Sequence, residues 1–271
     1  MPNITALLMK PYIFFLDIDG TLIQPNQKSN SDLLPNTIKK LSQKGHLFGL
    51  NSNRAVEDIV DIYQLFGLNG PIILENGVYY KKTLDAPEIL LIESPAKLQK
   101  LTMGALSAYV NTLEPEVHYE CTDTVDIIEN EKYNEIPLGI YLNKFRKYTA
   151  SIHVFRYGKR NLDAAQKITD YLQKYFNEKK MGIIVRVTSS FGNVILYPKD
   201  GSKKDAFTQL KSVYPDYKFA MIGDSLGDAE TAEEIDFFYT VGNAPDKVKA
   251  IADLAASKPY TQGVIEVLEQ I

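Results

Sequence analysis

The run Tyr12-Ile13-Phe14-Phe15-Leu16 is apolar at every position and stops abruptly at Asp17-Ile18-Asp19-Gly20. A short run without alternation reads as a strand buried on both faces, as in the middle of a parallel sheet. From Leu33 to Lys44 the apolar positions are Leu33, Leu34, Ile38 and Leu41, with Ser31 and Asp32 as caps, Pro35 in the first turn and Gly45 as a stop. That spacing predicts a helix. His46 to Leu50 is a second strand. Val56, Ile59, Val60, Tyr63 and Phe66 then repeat at helical spacing up to Gly67, and Ile72 to Leu74 is a third strand before the turn Glu75-Asn76-Gly77. Strands alternating with helices predict a parallel sheet with right-handed crossovers.

The same rhythm returns near the end of the chain. Lys203 to Val213 is helical, Phe219 to Ile222 is a buried strand ending in Gly223-Asp224, Ala229 to Ile235 is helical and Phe237 to Val241 is a strand. Pro245 opens a further helix and Gln262 to Ile271 forms a last amphipathic one. The middle differs: two long helical patterns, about 95–113 and 161–178, are separated by strand-like runs. Thr149 to Phe155 and Gly182 to Val187 read as strands there, and Asn193 to Tyr197 as a strand at the return to the first domain. The expected class is α/β, a parallel-sheet domain in two parts (1–83 and 192–271) interrupted by an α+β insert (84–191).

Composition changes this picture little. The 271 residues are 45% hydrophobic and 24% charged, ordinary for a folded soluble chain. A net charge of −4 speaks against a dedicated nucleic-acid binder, which carries a basic stripe. The single cysteine, Cys121, allows no internal disulfide. Three histidines (His46, His118, His153) without ligand spacing offer no zinc site. The N-terminus lacks the marks of a signal peptide and no stretch reaches the roughly 18 apolar residues of a membrane span. The expected location is cytoplasmic, with no membrane partner and no signal for oligomeric state.

Chemistry concentrates at strand ends. Open α/β sheets bind ligands beyond the carboxyl ends of their strands. Asp17 and Asp19 follow the first strand. A carboxylate there is suited to attack a phosphorus centre, a second to move protons, and Gly20 lets backbone approach a phosphate. Asn51-Ser52-Asn53-Arg54 follows the second strand, offering a hydroxyl and backbone N–H groups to phosphate oxygens or, equally, a plain helix cap. Lys203, at a helix start where the helix dipole disfavours a cation, is better explained by an anionic partner; Lys204 is the rival for that role. Asp224 and Asp228 follow the strand 219–222, and oxygen ligands without nitrogen or sulfur suit Mg²⁺.

Together these residues resemble the haloacid dehalogenase-like (HAD) phosphohydrolase superfamily. Asp17 to Leu22 matches Asp-x-Asp-Gly-Thr-Leu, Ser52 the second signature, Lys203 the third, and Gly223 to Asp228 the fourth, Gly-Asp-Ser-x-x-Asp. Glu75-Asn76-Gly77, Val241-Gly242-Asn243-Ala244-Pro245 and Gly263-Val264 look like its sugar-phosphatase branch, and the insert looks like a type II cap of the B subtype. The resemblance implies a Rossmann-like core and a Mg²⁺-dependent phosphatase acting on a small phosphorylated metabolite, such as a sugar phosphate, through an aspartyl-phosphate. It makes Asp17 the nucleophile and a metal ligand, and Asp19 the acid/base that ligates through its carbonyl. Asp224 is a ligand, Asp228 a support, and Ser52, Lys203, Asn53 and Gly20 the phosphate cradle. Ser52-Asn53-Arg54 departs from Thr-Gly-Arg, and Gly227 replaces the usual Asn. A sugar phosphomutase or phosphotransferase would use the same intermediate, and a non-catalytic binding protein would share the fold. Within the insert, Tyr119, Asp126, His153, Arg156 and Arg186 are the candidates for substrate contact.

Overall fold

The wholly apolar run is β1 (Tyr12–Leu16), every residue of it buried. In the computed structural model, which describes residues 10–24, 33–92, 97–113, 116–123, 131–188 and 192–271, it occupies the interior of an eight-stranded sheet. The chain continues through α1 (Leu33–Ser42), β2 (Leu47–Asn51), α2 (Val60–Leu65), β3 (Ile72–Leu74), β4 (Tyr79–Lys81) and β5 (Ile89–Leu90). The middle third carries α3 (Leu98–Leu113), β6 (Val117–Thr122), β7 (Leu138–Asn143), β8 (Ala150–Arg156), β9 (Lys159–Arg160), α4 (Leu162–Glu178), β10 (Ile183–Val187) and β11 (Val194–Pro198). The return adds α5 (Lys203–Val213), β12 (Lys218–Gly223), α6 (Leu226–Ala229), β13 (Phe237–Thr240), α7 (Asp246–Lys249), β14 (Leu254–Ala255) and α8 (Tyr260–Leu268).

The chain divides into two compact units. The first holds the residues up to Asn53, Ile59–Leu91 and Ser202–Ile271; the second holds Arg54–Asp58 and Ile92–Gly201. In the first unit the strand order is β14-β13-β12-β1-β2-β3-β4-β5, parallel from β14 to β3 and antiparallel at the β3–β4–β5 edge. Ile13 and Phe15 pack on one face with Phe207, Phe219 and Met221, the Phe15 and Phe207 rings meeting edge-on at 4.8 Å. Phe14 stacks on Phe48 at 5.1 Å on the other face. Each such side chain, fully buried, contributes roughly 1.5–3 kcal/mol. Leu16 is level with Leu50 of β2 and Ile222 of β12, so the residues after all three strands emerge at one sheet edge.

The second unit is a six-stranded sheet, order β10-β11-β8-β7-β6 with β9 beside β8, antiparallel except for β6–β7. Helices α3 and α4 cover one face, where Ile140, Leu142, Ile152, Val154 and Leu196 meet Leu106, Ile168 and Phe176. Strand alternation sends Tyr141, Asn143, Ser151, His153 and Phe155 to the opposite face.

Several boundaries differ from the expected ones. The second unit opens at Ile92 rather than 84, because β4 and β5 extend the first sheet by antiparallel pairing. It ends at Gly201 rather than 191, because Val194–Pro198 pairs with β10 and β8 instead of joining the first sheet. The helix expected over Ala229–Ile235 is replaced by α6 and a single 3-10 turn, Ala232–Glu234, because Thr231 turns back and bonds the Asp228 carbonyl through both N–H and hydroxyl. Asp126 lies outside the described residues. Among those residues no helix is long and apolar enough to cross a membrane.

Candidate active site

The Asp17 N–H donates to the Ile222 carbonyl at 2.9 Å, so the β1–β12 ladder itself fixes the first acid. The chain then folds tightly: Leu22 and Ile23 N–H donate to the Ile18 carbonyl at 3.0 and 2.8 Å. Gly20 has φ +97°, and a Cβ there would lie 2.2 Å from Asp224 Oδ2, so only glycine fits. Asn243 holds this loop, its side-chain amide donating to the Gly20 carbonyl at 2.8 Å while its Oδ1 accepts from Tyr260 N–H at 2.8 Å. Thr261 Oγ1 donates to the Leu22 carbonyl. Sequence reasoning noted Asn243 only as part of a family-like tail. Its distance along the chain from Gly20 hides the contact.

Asp228 is the hub of the second acidic segment. Ser225 caps α6 in a capping box: its hydroxyl donates to Asp228 Oδ2 at 2.7 Å and accepts from the Asp228 N–H at 3.3 Å. The other oxygen, Oδ1, accepts from Lys203 Nζ at 2.9 Å, and the pair is almost wholly buried, 10% and 1% exposed. Lys203 therefore offsets its unfavourable place at the start of α5 with a buried acid. Lys204 instead pairs with Glu233 on the surface. The start of α5 is seated by Glu75-Asn76-Gly77, three successive residues at positive φ (48°, 64° and 86°). A Cβ on Gly77 would stand 2.3 Å from the Ser202 backbone, so the turn fits against the lysine's own segment only without a side chain. Ser52, 1% exposed, follows β2 at the same sheet edge, its N–H bonded to the Ile73 carbonyl at 3.0 Å. Asn53 ends that segment of the unit.

One oxygen each of Asp17, Asp224 and Asp228 lie within 4.8 Å of one another. The Asp19 side chain, partly exposed, is not in that group. Burial, then the Asp228 charge, drives the Asp17 carboxyl well above the usual range, against the pull of Lys203. Burial and Asp228 likewise push Asp224 up to about 7. Asp224 Oδ1 is buried without a hydrogen-bond partner. An oxygen-only donor set, one orphaned carboxylate oxygen and three mutually repelling acids fit a hard divalent cation such as Mg²⁺. Gly227 has nothing nearer than 3.6 Å to its missing side chain, so no crowding demands glycine there. His46 plays no part; its Nδ1 accepts from the Tyr12 N–H at the opposite end of β1.

The first unit's mostly parallel sheet thus gathers acids and a lysine beyond its strand ends. Residues 14–268 match the model of the haloacid dehalogenase-like hydrolases, and the chain belongs to that family. A phosphoglycolate phosphatase of Staphylothermus marinus is 28% identical, covering 94% of this chain and 95% of that one. The 5-amino-6-(5-phospho-D-ribitylamino)uracil phosphatase YitU of Bacillus subtilis is 24% identical, covering 96% and 97%. A solved haloacid dehalogenase-like hydrolase from Bacteroides thetaiotaomicron shares the fold, with TM-score 0.71 at 18% identity over 96% of this chain and 99% of that one.

Proposed function

We propose that the protein is a Mg²⁺-dependent phosphatase that hydrolyses a small phosphorylated metabolite through an aspartyl-phosphate on Asp17. The carrying observation is the convergence of Asp17, Asp224 and Asp228 with the buried Lys203 at one sheet edge. Asp17, Asp224 and the Asp19 carbonyl would hold the ion, whose charge would relieve the repulsion among the acids and stabilise the phosphoryl oxygens. Ser52 Oγ, the Lys203 ammonium and the Asn53 backbone hold the phosphate, and Gly20, without a side chain, lets the loop approach it. Ionised Asp17 attacks the phosphorus in line, and the bond to the leaving alcohol breaks as Asp19 gives that oxygen its proton. Asp19 then takes a proton from water, whose oxygen attacks the same phosphorus. Inorganic phosphate leaves and the Asp17 carboxylate is restored. Asp228 acts through Lys203, which it orients. The relatives named above act on phosphomonoesters of unlike leaving groups, which supports a small phosphomonoester as the substrate class.

The test is release of inorganic phosphate from an aryl phosphate by the purified full chain, with Mg²⁺ and with a chelator. Turnover that needs Mg²⁺ and vanishes in Asp17→Asn supports the reading. A chain inactive with metal, or equally active as Asp17→Asn, would overturn it.

A further inference from the structure

The loop Asp17–Ile23 carries two of the acids, and later segments of the first unit hold it from outside. Its own bonds run from the Gly20 N–H to the Ile23 carbonyl at 3.0 Å, and from the Leu22 and Ile23 N–H groups to the Ile18 carbonyl. The carbonyls of Gly20 and Leu22 accept instead from side chains 223 and 239 residues further on, Asn243 Nδ2 and Thr261 Oγ1, each at 2.8 Å. The orientation of the Asn243 amide is fixed. Its nitrogen meets a carbonyl, which can only accept, and its Oδ1 meets the Tyr260 N–H, which can only donate, at 2.8 Å. Both holds converge on Tyr260-Thr261, the first two residues of α8.

That segment is itself braced. The Glu266 carboxylate accepts from Ser257 N–H at 2.9 Å, and from Ser257 Oγ and Lys258 N–H at 3.0 Å each. The Lys258 carbonyl accepts from Gly242 N–H at 2.7 Å, and a Cβ on Gly242 or Gly263 would stand 2.7 or 2.3 Å from that carbonyl oxygen. Tyr260 takes φ +50°, a left-handed backbone that a tyrosine adopts only where its surroundings impose it. Asn243 is therefore seated on a rigid support. At the other end of its bond, Gly20 lies so close to Asp224 that a Cβ would come 2.2 Å from Oδ2 and 2.9 Å from Oδ1. Oδ1 is the buried carboxylate oxygen without a partner. Whatever holds Gly20 sets the space beside that oxygen.

We propose that Asn243 and Thr261 are positioning residues for the reaction, a clamp that fixes the Asp19-Gly20 backbone against Asp224 and so sets the width of the cation site. The proposal rests on the phosphatase reading above. Mg²⁺ demands near-ideal octahedral geometry with oxygens at about 2.0–2.1 Å, so a displaced loop binds it poorly. The same displacement misplaces the Asp19 carboxyl, and an error of about 1 Å in such a group costs on the order of 100-fold in rate. Both residues act through the loop. Their effect falls on Mg²⁺ affinity and kcat rather than on the KM for the ester.

Thr261→Val deletes the hydroxyl at nearly constant shape, and Thr261→Ser restores it. In calorimetric titration of the metal-free full chain with Mg²⁺, Thr261→Val should bind about tenfold more weakly, the loss of one buried hydrogen bond, and Thr261→Ser within about twofold of the parent. At saturating Mg²⁺, kcat for an aryl phosphate should fall about tenfold in Thr261→Val and about 100-fold in Asn243→Ala, with KM held within about threefold. A residue that serves only the fold would lower the melting temperature and leave Mg²⁺ affinity unchanged. Unchanged affinity in folded Thr261→Val overturns the clamp, whatever kcat does. Should Asn243→Ala misfold, the two Thr261 variants decide. If the parent neither binds Mg²⁺ nor releases phosphate, the phosphatase reading fails, and amide exchange in metal-free protein decides the clamp by itself. Gly20, Leu22 and Ile23 should then exchange about tenfold faster in Thr261→Val, with β1 unchanged and the serine variant restored. Equal loop rates in the parent and Thr261→Val would overturn it.

Discussion

The two units carry charge clusters of opposite sign built on the same physics. At the edge of the first sheet, burial and a neighbouring carboxylate push Asp17 and Asp224 toward their neutral forms. On the open face of the second sheet, burial and neighbouring guanidiniums hold His153 neutral. In each case desolvation is the larger cause and like charge adds to it. The acids come with one internal counter-charge, Lys203, and still leave an oxygen of Asp224 without a partner. The histidine leaves a nitrogen without one. The oxygen donors of the first cluster fit a cation, whereas in the second burial and like charge keep a histidine neutral.

The comparison breaks first if the acids do no chemistry. Asp17→Asn keeps the side chain's shape and removes the charged nucleophile. Phosphate release should fall by about 10,000-fold, within the range seen when a covalent-catalysis residue is removed. Loss of only a few-fold would mean that Asp17 merely positions other groups. Lys203→Met comes next. It removes the cation paired with Asp228 beside Asp17 and Asp224, and phosphate release should fall roughly 100- to 1,000-fold. The unpaired Asp228, 1% exposed, should also destabilise the fold by about 3–5 kcal/mol in denaturant melts at neutral pH. A variant as stable as the parent would show that the pair is not a counter-charge.

A pH series sharpens the cation half of the comparison. Asp224 ionises near 7 in the metal-free folded chain, against an ordinary value of 3.8. Between these values the folded chain keeps a proton that the unfolded chain has lost, so stability falls as pH rises. Metal-free protein should melt at a higher temperature at pH 5 than at pH 8. Mg²⁺ should raise the melting temperature more at pH 8, where it meets ionised carboxylates without displacing protons. Equal stabilisation at both pH values would place the ion elsewhere.

How much of this was legible in the sequence depends on how local the signal is. Asp17, Asp19, Asp224 and Asp228 stand at the ends of apolar runs, and Lys203 sits one residue after its helix cap Ser202. Periodicity and motif spacing carry such residues directly. Partners distant in sequence are not carried. Nothing local ties Asn243 to Gly20, or places Val194–Pro198 beside β8 rather than in the first sheet. The helix expected from Val56 starts only at Val60, because Arg54–Asp58 groups with the second unit, and tertiary packing overrides the pattern. The arginine-ringed histidine was half visible. His153 was named within the insert and Arg54 within Asn51-Ser52-Asn53-Arg54, but Arg54, Arg146 and Arg160 come from three separate segments that no motif links.

Tyr119 gives the smallest and most discriminating prediction, because it tests the sidedness of the second sheet. The residue was expected to contact substrate, yet it packs against the helix-side cluster with Ile140 and Val154, on the face away from His153. Its hydroxyl oxygen is buried without a hydrogen-bond partner among the described residues, and burial raises its pKa. Tyr119→Phe removes a polar atom that gains nothing from its site and leaves the ring's packing intact. Stability should stay within about 1 kcal/mol of the parent, on the favourable side, since an unsatisfied buried hydroxyl is a cost rather than a contact. The ratio of kcat/KM between acid-bearing and neutral phosphate esters should not move. If Tyr119→Phe shifts that ratio, a residue on the helix-covered face acts on the substrate, and the contrast between the two sides of this sheet fails.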